Sequence, residues 1–216
     1  MDIEIEKRFK NIENSKTFQN IVHGNNLKSQ SVLDIGCSYG EFLVHFGEGS
    51  TGLTIVEEES DYGKVKNLDI RFGNIEAEDV PITAKYEAIF ANNILEHLYS
   101  PHAFLTRIKD MINDDGIIII GVPIIPKIVS LWNLKKFRGS LAHGHINFFT
   151  KDTLQKTIER AGWIMIENRS FHFRNPFLDK FLNFISPHQY VVAKKDPNFK
   201  YHPKRLKELA GYKNII

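Results

Sequence analysis

The sequence predicts an α/β protein: a seven-stranded, mostly parallel sheet with helices on both faces. Three observations predict it. Seven short apolar runs alternate with segments of helical spacing, the pattern of βαβ units. Residues 117–122, the most hydrophobic run, read as a central strand buried on both faces. The segment Asp34-Ile35-Gly36-Cys37-Ser38-Tyr39-Gly40 lies between a strand and a helical stretch, where a tight turn needs glycine.

The elements follow in order. Ile5, Phe9, Ile12, Phe18, Ile21 and Val22 recur at roughly helical spacing, giving one or two amphipathic helices over 2–22. Residues 31–36 form the first strand, and 41–46 a short helix. Residues 52–56 form the second strand, ending in the acidic run Glu57, Glu58, Glu59. Residues 69–72 and 86–91 are the third and fourth strands. Phe104, Leu105, Ile108, Met111 and Ile112 share one face of a helix over 101–112 that starts at Pro101. Asp115-Gly116 is read as a turn before the strand at 117–122. A helix over 150–161 has Thr150 as its cap and Gly162 as its stop. Residues 163–167 and 190–194 are the last strands.

Composition bounds the function. The chain has 216 residues, 42% hydrophobic and 25% charged, ordinary for one α/β domain. The reading is an N-terminal helical segment at 1–29, a core domain at 30–195 with insertions at 124–144 and 170–188, and a basic tail at 196–216. The tail is read first as solubilising, with contact to an anionic substrate or partner as the sharper alternative. A net charge of +2 gives no argument for nucleic acid. No apolar run reaches the ~18 residues of a membrane span. The charged start, MDIEIEKRFK, lacks the apolar stretch of a signal peptide. The single cysteine, Cys37, forms no internal disulfide, so the expected location is cytoplasmic.

The loop at 34–40 carries the chemistry. Asp34 ends an otherwise apolar strand, where a carboxylate is costly unless paired. The pattern is D-x-G-x-S-x-G rather than G-x-G-x-x-G, which disfavours a nicotinamide-dependent oxidoreductase. VLDIGCSYGEFL resembles motif I of the class I S-adenosylmethionine (SAM)-dependent methyltransferases. The resemblance continues in order through FGNIEAEDVP, YEAIFANNILEHLYSPHAFL, INDDGIIIIGVP and HGHINFFTKDTLQKTIERAGW, from about residue 30 to 168. The last segment is similar to a subgroup that includes small-molecule and sugar methyltransferases.

The resemblance implies a Rossmann-like class I methyltransferase fold, SAM as cofactor, and a small-molecule acceptor, a sugar or sugar nucleotide among the candidates. It puts Asp34, Gly36, Cys37, Ser38 and Gly40 at the cofactor, with Gly36, Ser38 and Gly40 on its methionine and ribose side. Ser38 stands where the family usually has glycine. The family ends its second strand with an acidic residue that holds the ribose hydroxyls. Strand register puts Thr54 there, whereas Glu57 is the first available carboxylate and the better double acceptor. Glu58 and Glu59 are read as solvated. Asn74 replaces the family's aspartate near adenine, Ile75 packs on the ring, and Asn92 lies against the methionine portion.

His97, His143 and His145 are the candidate catalytic residues, because a near-neutral imidazole suits proton removal from a hydroxyl. His145 is preferred, since its loop should overhang the cleft. The His and Glu spacing is too weak a pattern to assign a metal. Trp132, Phe137, Phe171, Phe173 and Phe177 line an acceptor pocket or form a homodimer contact. The rival to an enzyme is a degenerate SAM-binding domain with a regulatory or scaffolding role.

Overall fold

The computed structural model describes residues 2–126, 128, 144–182 and 185–203. Helices α1 (Asp2–Glu13) and α2 (Lys16–Gly24) precede β1 (Val32–Ile35). Then come β2 (Thr51–Thr54), α3 (Glu57–Val65), β3 (Ile70–Phe72), β4 (Tyr86–Asn92), α4 (Pro101–Arg107) and β5 (Ile112–Pro123). The chain continues through α5 (Lys151–Arg160), β6 (Trp163–Arg169), α6 (Pro176–Leu182) and β7 (His188–Lys195). The sheet order is β3-β2-β1-β4-β5-β7-β6, with β7 antiparallel to both its neighbours. The strand order reverses between β1 and β4, and such a switch point opens a ligand crevice at the carboxyl ends of the strands.

Strand alternation divides the core in two. Leu33, Ile35, Ile89, Ala91, Ile118 and Ile120 face α4 and α5, meeting Leu105, Leu154 and Ile158. Val32, Ala88, Phe90 and Ile119 face the other way, onto Phe18, Ile21 and Val22 of α2. Phe90 packs among Phe18, Phe42 and Phe46, with ring centroids 5.3–6.0 Å apart. α5 begins where the sequence predicts: Thr150 and Thr153 form a reciprocal capping box, and Gly162 ends the helix at φ +81°. α4 is pinned to β6 by the Trp163 Nε1–H, which donates to the Leu105 carbonyl at 3.0 Å.

Three predicted elements differ. The helix expected over 41–46 is a single 3₁₀ turn, Leu43–His45. Gly36, Ser38 and Gly40 take positive φ (75°, 49° and 87°), so the chain leaves β1 by left-handed turns that no α-helix can continue. The helix from Pro101 gives way to a 3₁₀ turn at Ile108–Met111. Asp115-Gly116, expected as a turn ahead of the strand, lies within β5: Tyr86 pairs with Ile112 and Ala88 with Ile117, so the residues between bulge from the ladder.

His143, Trp132 and Phe137 lie outside the described residues, as do most of segment 124–144, positions 183–184 and the tail beyond residue 203. The described start of the tail is docked: Tyr201 Oη is 2.9 Å from His102 Nε2, and the Lys109 ammonium lies over the Phe199 ring. Among the described residues no helix is long and apolar enough to cross a membrane.

Segment 170–182 is held by one buried carboxylate. Asp179 is fully buried and accepts from Arg169 Nη1 at 2.8 Å and from the Phe173 N–H at 3.0 Å. The Arg169 guanidinium also stacks on Phe171 at 3.8 Å and pairs with Glu167. Removing one partner of a buried pair leaves the other uncompensated. Asp179→Ala is therefore expected to lower unfolding free energy by about 3 kcal/mol, the low end of the usual range because Glu167 remains. Urea denaturation of the variant checks this.

Candidate active site

A cavity of about 370 Å³ opens at the carboxyl ends of β1 to β4. That volume falls in the range of small-molecule sites. The glycine loop supplies Gly36 and Ser38; β2 and its exit supply Thr54, Ile55 and Val56; α3 supplies Glu59. The chain after β3 adds Asn74, Ile75 and Glu76, and the turn after β4 adds Ile94, His97, Leu98 and Tyr99.

Two acidic side chains line the cavity, Glu59 and Glu76, and Glu59 is the one tied to the glycine loop. Ser38 Oγ donates to Glu59 Oε1 at 2.9 Å, and Thr54 Oγ1 donates to Glu59 Oε2. Glu59 is the third residue of α3, whose N-cap is Val56. A glutamate at that position folds back toward the strand from which the helix springs. Arg8 of α1 closes the arrangement from outside, donating to Ser38 Oγ at 3.0 Å and lying over the Tyr39 ring.

The far wall is fastened by backbone contacts. Glu76 accepts from the N–H groups of Tyr99 and Ser100 at 3.1 and 3.0 Å. Arg107 Nη1 donates to the carbonyls of Ile75 and Ala77. Asn74 Oδ1 is taken by the Glu76 N–H at 2.9 Å.

Two buried acceptors lie on one face of the β1–β4 pair. Asp34 is opposite Phe90, two residues before Asn92. Asp34 Oδ2 and Asn92 Oδ1 have no hydrogen-bond partner among the described residues. Burial, reinforced by the nearby Glu41 charge, holds the Asp34 carboxyl well above the usual range.

On the other flank, Glu96, His97 and His145 converge. Segment 144–147 is tied to the turn at 95–98: the N–H groups of Ile146 and Asn147 donate to the Glu96 carbonyl at 2.9 and 3.0 Å. The Asn147 side chain donates to the Leu95 and Leu98 carbonyls. His97 Nε2 and His145 Nε2 lie 3.9 and 4.0 Å from Glu96 Oε1. The imidazole rings of the two histidines meet edge to face, with centroids 4.9 Å apart. Both Glu96 carboxylate oxygens are buried with no hydrogen-bond partner among the described residues, and burial raises the carboxyl above its ordinary range.

A family model described as "Methyltransferase domain" matches residues 7–168. The chain belongs to the SAM-dependent methyltransferase family. The (S)-coclaurine N-methyltransferase of Papaver somniferum is 29% identical over 102 residues, 42% of this chain and 29% of that protein. A ubiquinone biosynthesis O-methyltransferase of Dinoroseobacter shibae is 26% identical over 168 residues, 70% of this chain and 66% of the relative. The chain thus spans less than two thirds of the length of these relatives. A SAM-dependent methyltransferase from Archaeoglobus fulgidus superposes with a TM-score of 0.62 at 18% identity, covering 89% of this chain and 99% of that one. That likeness concerns the fold.

Within this family's frame, the cavity gathers Gly36, Ser38, Thr54, Asn74, Ile75 and His97. Cys37 instead turns inward: it is fully buried, and a β-carbon built on Gly52 would meet its sulfur at 2.5 Å. Gly40 packs on Leu68 and Ile70 rather than lining the cavity. Glu57, the first residue of α3, is exposed and outside the cavity wall. The sequence reading missed Glu59, although its place three residues past a helix cap was the available signal. Phe171 is a core residue, while Phe173 and Phe177 are exposed.

The exit of β4 carries a pH-sensitive contact. His188 Nε2 donates to Asn93 Oδ1 at 2.9 Å. Burial, with the neighbouring His172 charge, lowers the imidazole from 6.5 to about 4. Between those values an unfolded chain takes up a proton that the folded protein refuses, so this contribution is present above pH ~6.5 and is lost as pH falls toward 4. His188→Gln, which keeps an N–H donor, is expected to lose less stability than the parent between pH 7 and pH 5. Paired thermal denaturation at the two pH values measures the difference.

Proposed function

We propose that this chain transfers the methyl group of SAM to a small-molecule acceptor, a hydroxyl oxygen of a sugar or sugar nucleotide being the reading kept from the sequence. The observation that carries the proposal is Glu59, a carboxylate inside the cavity already oriented by Ser38 and Thr54. A carboxylate has about four acceptor positions, so two remain for a pair of ribose hydroxyls. Glu59, rather than Glu57, is then the ribose anchor. Ile75 and Val56 flank the adenine, with Asn74 at its edge. The ammonium of the methionine portion supplies the donors that Asp34 Oδ2 and Asn92 Oδ1 lack.

The reaction is a displacement. The acceptor oxygen forms a bond to the methyl carbon, the sulfur–carbon bond breaks, and its electron pair returns to sulfur as a thioether. The hydroxyl proton passes to the His145 imidazole, the general base of this reading. SAM supplies the electrophile; the protein aligns the partners and excludes water, worth roughly 7–11 kcal/mol when alignment is good. The Glu96, His97 and His145 cluster receives the acceptor, because His97 lines the cofactor cavity and His145 stands against Glu96.

Two measurements test this reading. A charge-assisted hydrogen bond contributes about 1.5–3 kcal/mol. Glu59→Ala should therefore weaken S-adenosylhomocysteine binding at least ~tenfold in calorimetric titration, and Glu57→Ala should leave it near the parent value. The opposite ranking would return the anchor to Glu57. With an acceptor in hand, His145→Ala should cost ~10²–10⁴ in turnover at unchanged cofactor affinity. Cofactor binding with no transfer to any acceptor would favour the regulatory reading instead.

A further inference from the structure

We propose that Glu96, His97 and His145 form the protein half of a divalent transition-metal site beside the cofactor cavity. One carboxylate oxygen and two imidazole nitrogens lie within 4.8 Å of one another.

The spacing argues for a shared centre rather than a hydrogen-bonded cluster. An imidazole bonded to a carboxylate sits at about 2.7–2.9 Å. Here both Nε2 atoms stop at 3.9 and 4.0 Å from Glu96 Oε1. Ligands on a tetrahedral ion with bonds of about 2.0–2.2 Å stand about 3.3 Å apart. Closing the gaps, about 0.6–0.7 Å to the carboxylate and up to about 1.5 Å for the widest pair, needs side-chain rotations, for which the His97 side chain, 47% exposed, has room.

Three further features fit an ion. Glu96 is 1% exposed and neither carboxylate oxygen has a hydrogen-bond partner among the described residues. A buried, unpaired carboxylate is costly, and a cation is the counter-charge that removes the cost. His97 Nδ1 is 2.8 Å from the Gly144 carbonyl, which can only accept. The ring's proton is thereby placed on Nδ1, and Nε2 presents a lone pair toward Glu96 and His145. Such a carbonyl partner is what usually orients a metal-ligating histidine. Finally, the backbone bonds from Ile146 and Asn147 to Glu96 hold His145 in place from a distant part of the chain.

The donor set selects the ion. Two imidazoles and one carboxylate suit Zn²⁺, Co²⁺, Fe²⁺ or Mn²⁺ better than Ca²⁺ or Mg²⁺, which favour oxygen-only shells. Three protein ligands leave a position open, as in sites that act on substrate. The role of the ion rests on the methyl-transfer reading above. If bound, the ion would offer that position to the acceptor hydroxyl and, as a Lewis acid, ease loss of its proton to solvent, with His145 serving as ligand rather than base. The acceptor class is a small molecule whose hydroxyl, alone or with a neighbouring oxygen, can ligate a cation.

The test is titration of the untagged, chelator-stripped full chain with Co²⁺, followed by visible absorption and calorimetry, with S-adenosylhomocysteine affinity measured on the same samples. The expected result is one saturable Co²⁺ per chain, displaced by Zn²⁺. His145→Ala and Glu96→Gln should each weaken it at least ~tenfold, with S-adenosylhomocysteine affinity retained as evidence that the variants fold, since neither residue lines the cofactor cavity. Absence of saturable binding, or parent-like Co²⁺ affinity in both variants, overturns the proposal. Co²⁺ binding by a parent protein that binds no S-adenosylhomocysteine upholds the metal site and defeats the methyl-transfer reading.

Discussion

The passage from β1 to β2 constrains everything near the cavity. In residues 36–50 the backbone turns left-handed at Gly36, Ser38 and Gly40, and only a 3₁₀ turn separates the loop from β2. The turn places Ser38 where its hydroxyl meets Glu59 of α3 and the guanidinium of Arg8 on α1. Three elements distant in sequence are thus held through one serine hydroxyl. Serine tolerates positive φ less readily than glycine, yet a glycine there would remove the bridge. The position the family usually gives to glycine is therefore coupled, in this chain, to an acidic residue one helical turn beyond the usual strand end.

The rest of the site follows from where the sheet reverses. β1 and β4 part at their carboxyl ends, leaving Asp34 and Asn92 on one face with unmet acceptors. On the opposite flank, Glu96 carries two more. Buried polar atoms in folded proteins are ordinarily satisfied. Asp34, Asn92 and Glu96 do not line the cavity themselves; they stand at or just past the carboxyl ends of β1 and β4, where the strand order reverses. The apolar core keeps these atoms in register, because Leu33, Ile35, Ile89 and Ala91 anchor the same strands from the other face.

What the sequence revealed was mostly local. Thr150 and Gly162 bound α5 because cap and stop chemistry acts within a few residues. The central strand and the glycine loop were legible for the same reason. Residues 41–46 have helical spacing, but spacing does not report the left-handed turns before them. Glu59 escaped because side-chain direction at a helix start, rather than distance from the strand, decides which carboxylate turns inward. Glu57 points to solvent although it comes first. Cys37 belongs to the legible loop, yet its thiol fills the space left by Gly52 on the neighbouring strand, a contact that is tertiary. The meeting of Glu96 with His145 was likewise beyond sequence reading, since it depends on backbone bonds between turns nearly fifty residues apart.

The central claim is that the carboxylate of Glu59, displaced from the strand end onto α3, defines a nucleoside site in this cavity. A crystal structure of the chain with S-adenosylhomocysteine tests it most directly. The account predicts both ribose hydroxyls within hydrogen-bond distance of Glu59, with the adenine between Val56 and Ile75. A ribose turned to Glu57, or a nucleoside lodged outside the cavity, would contradict it.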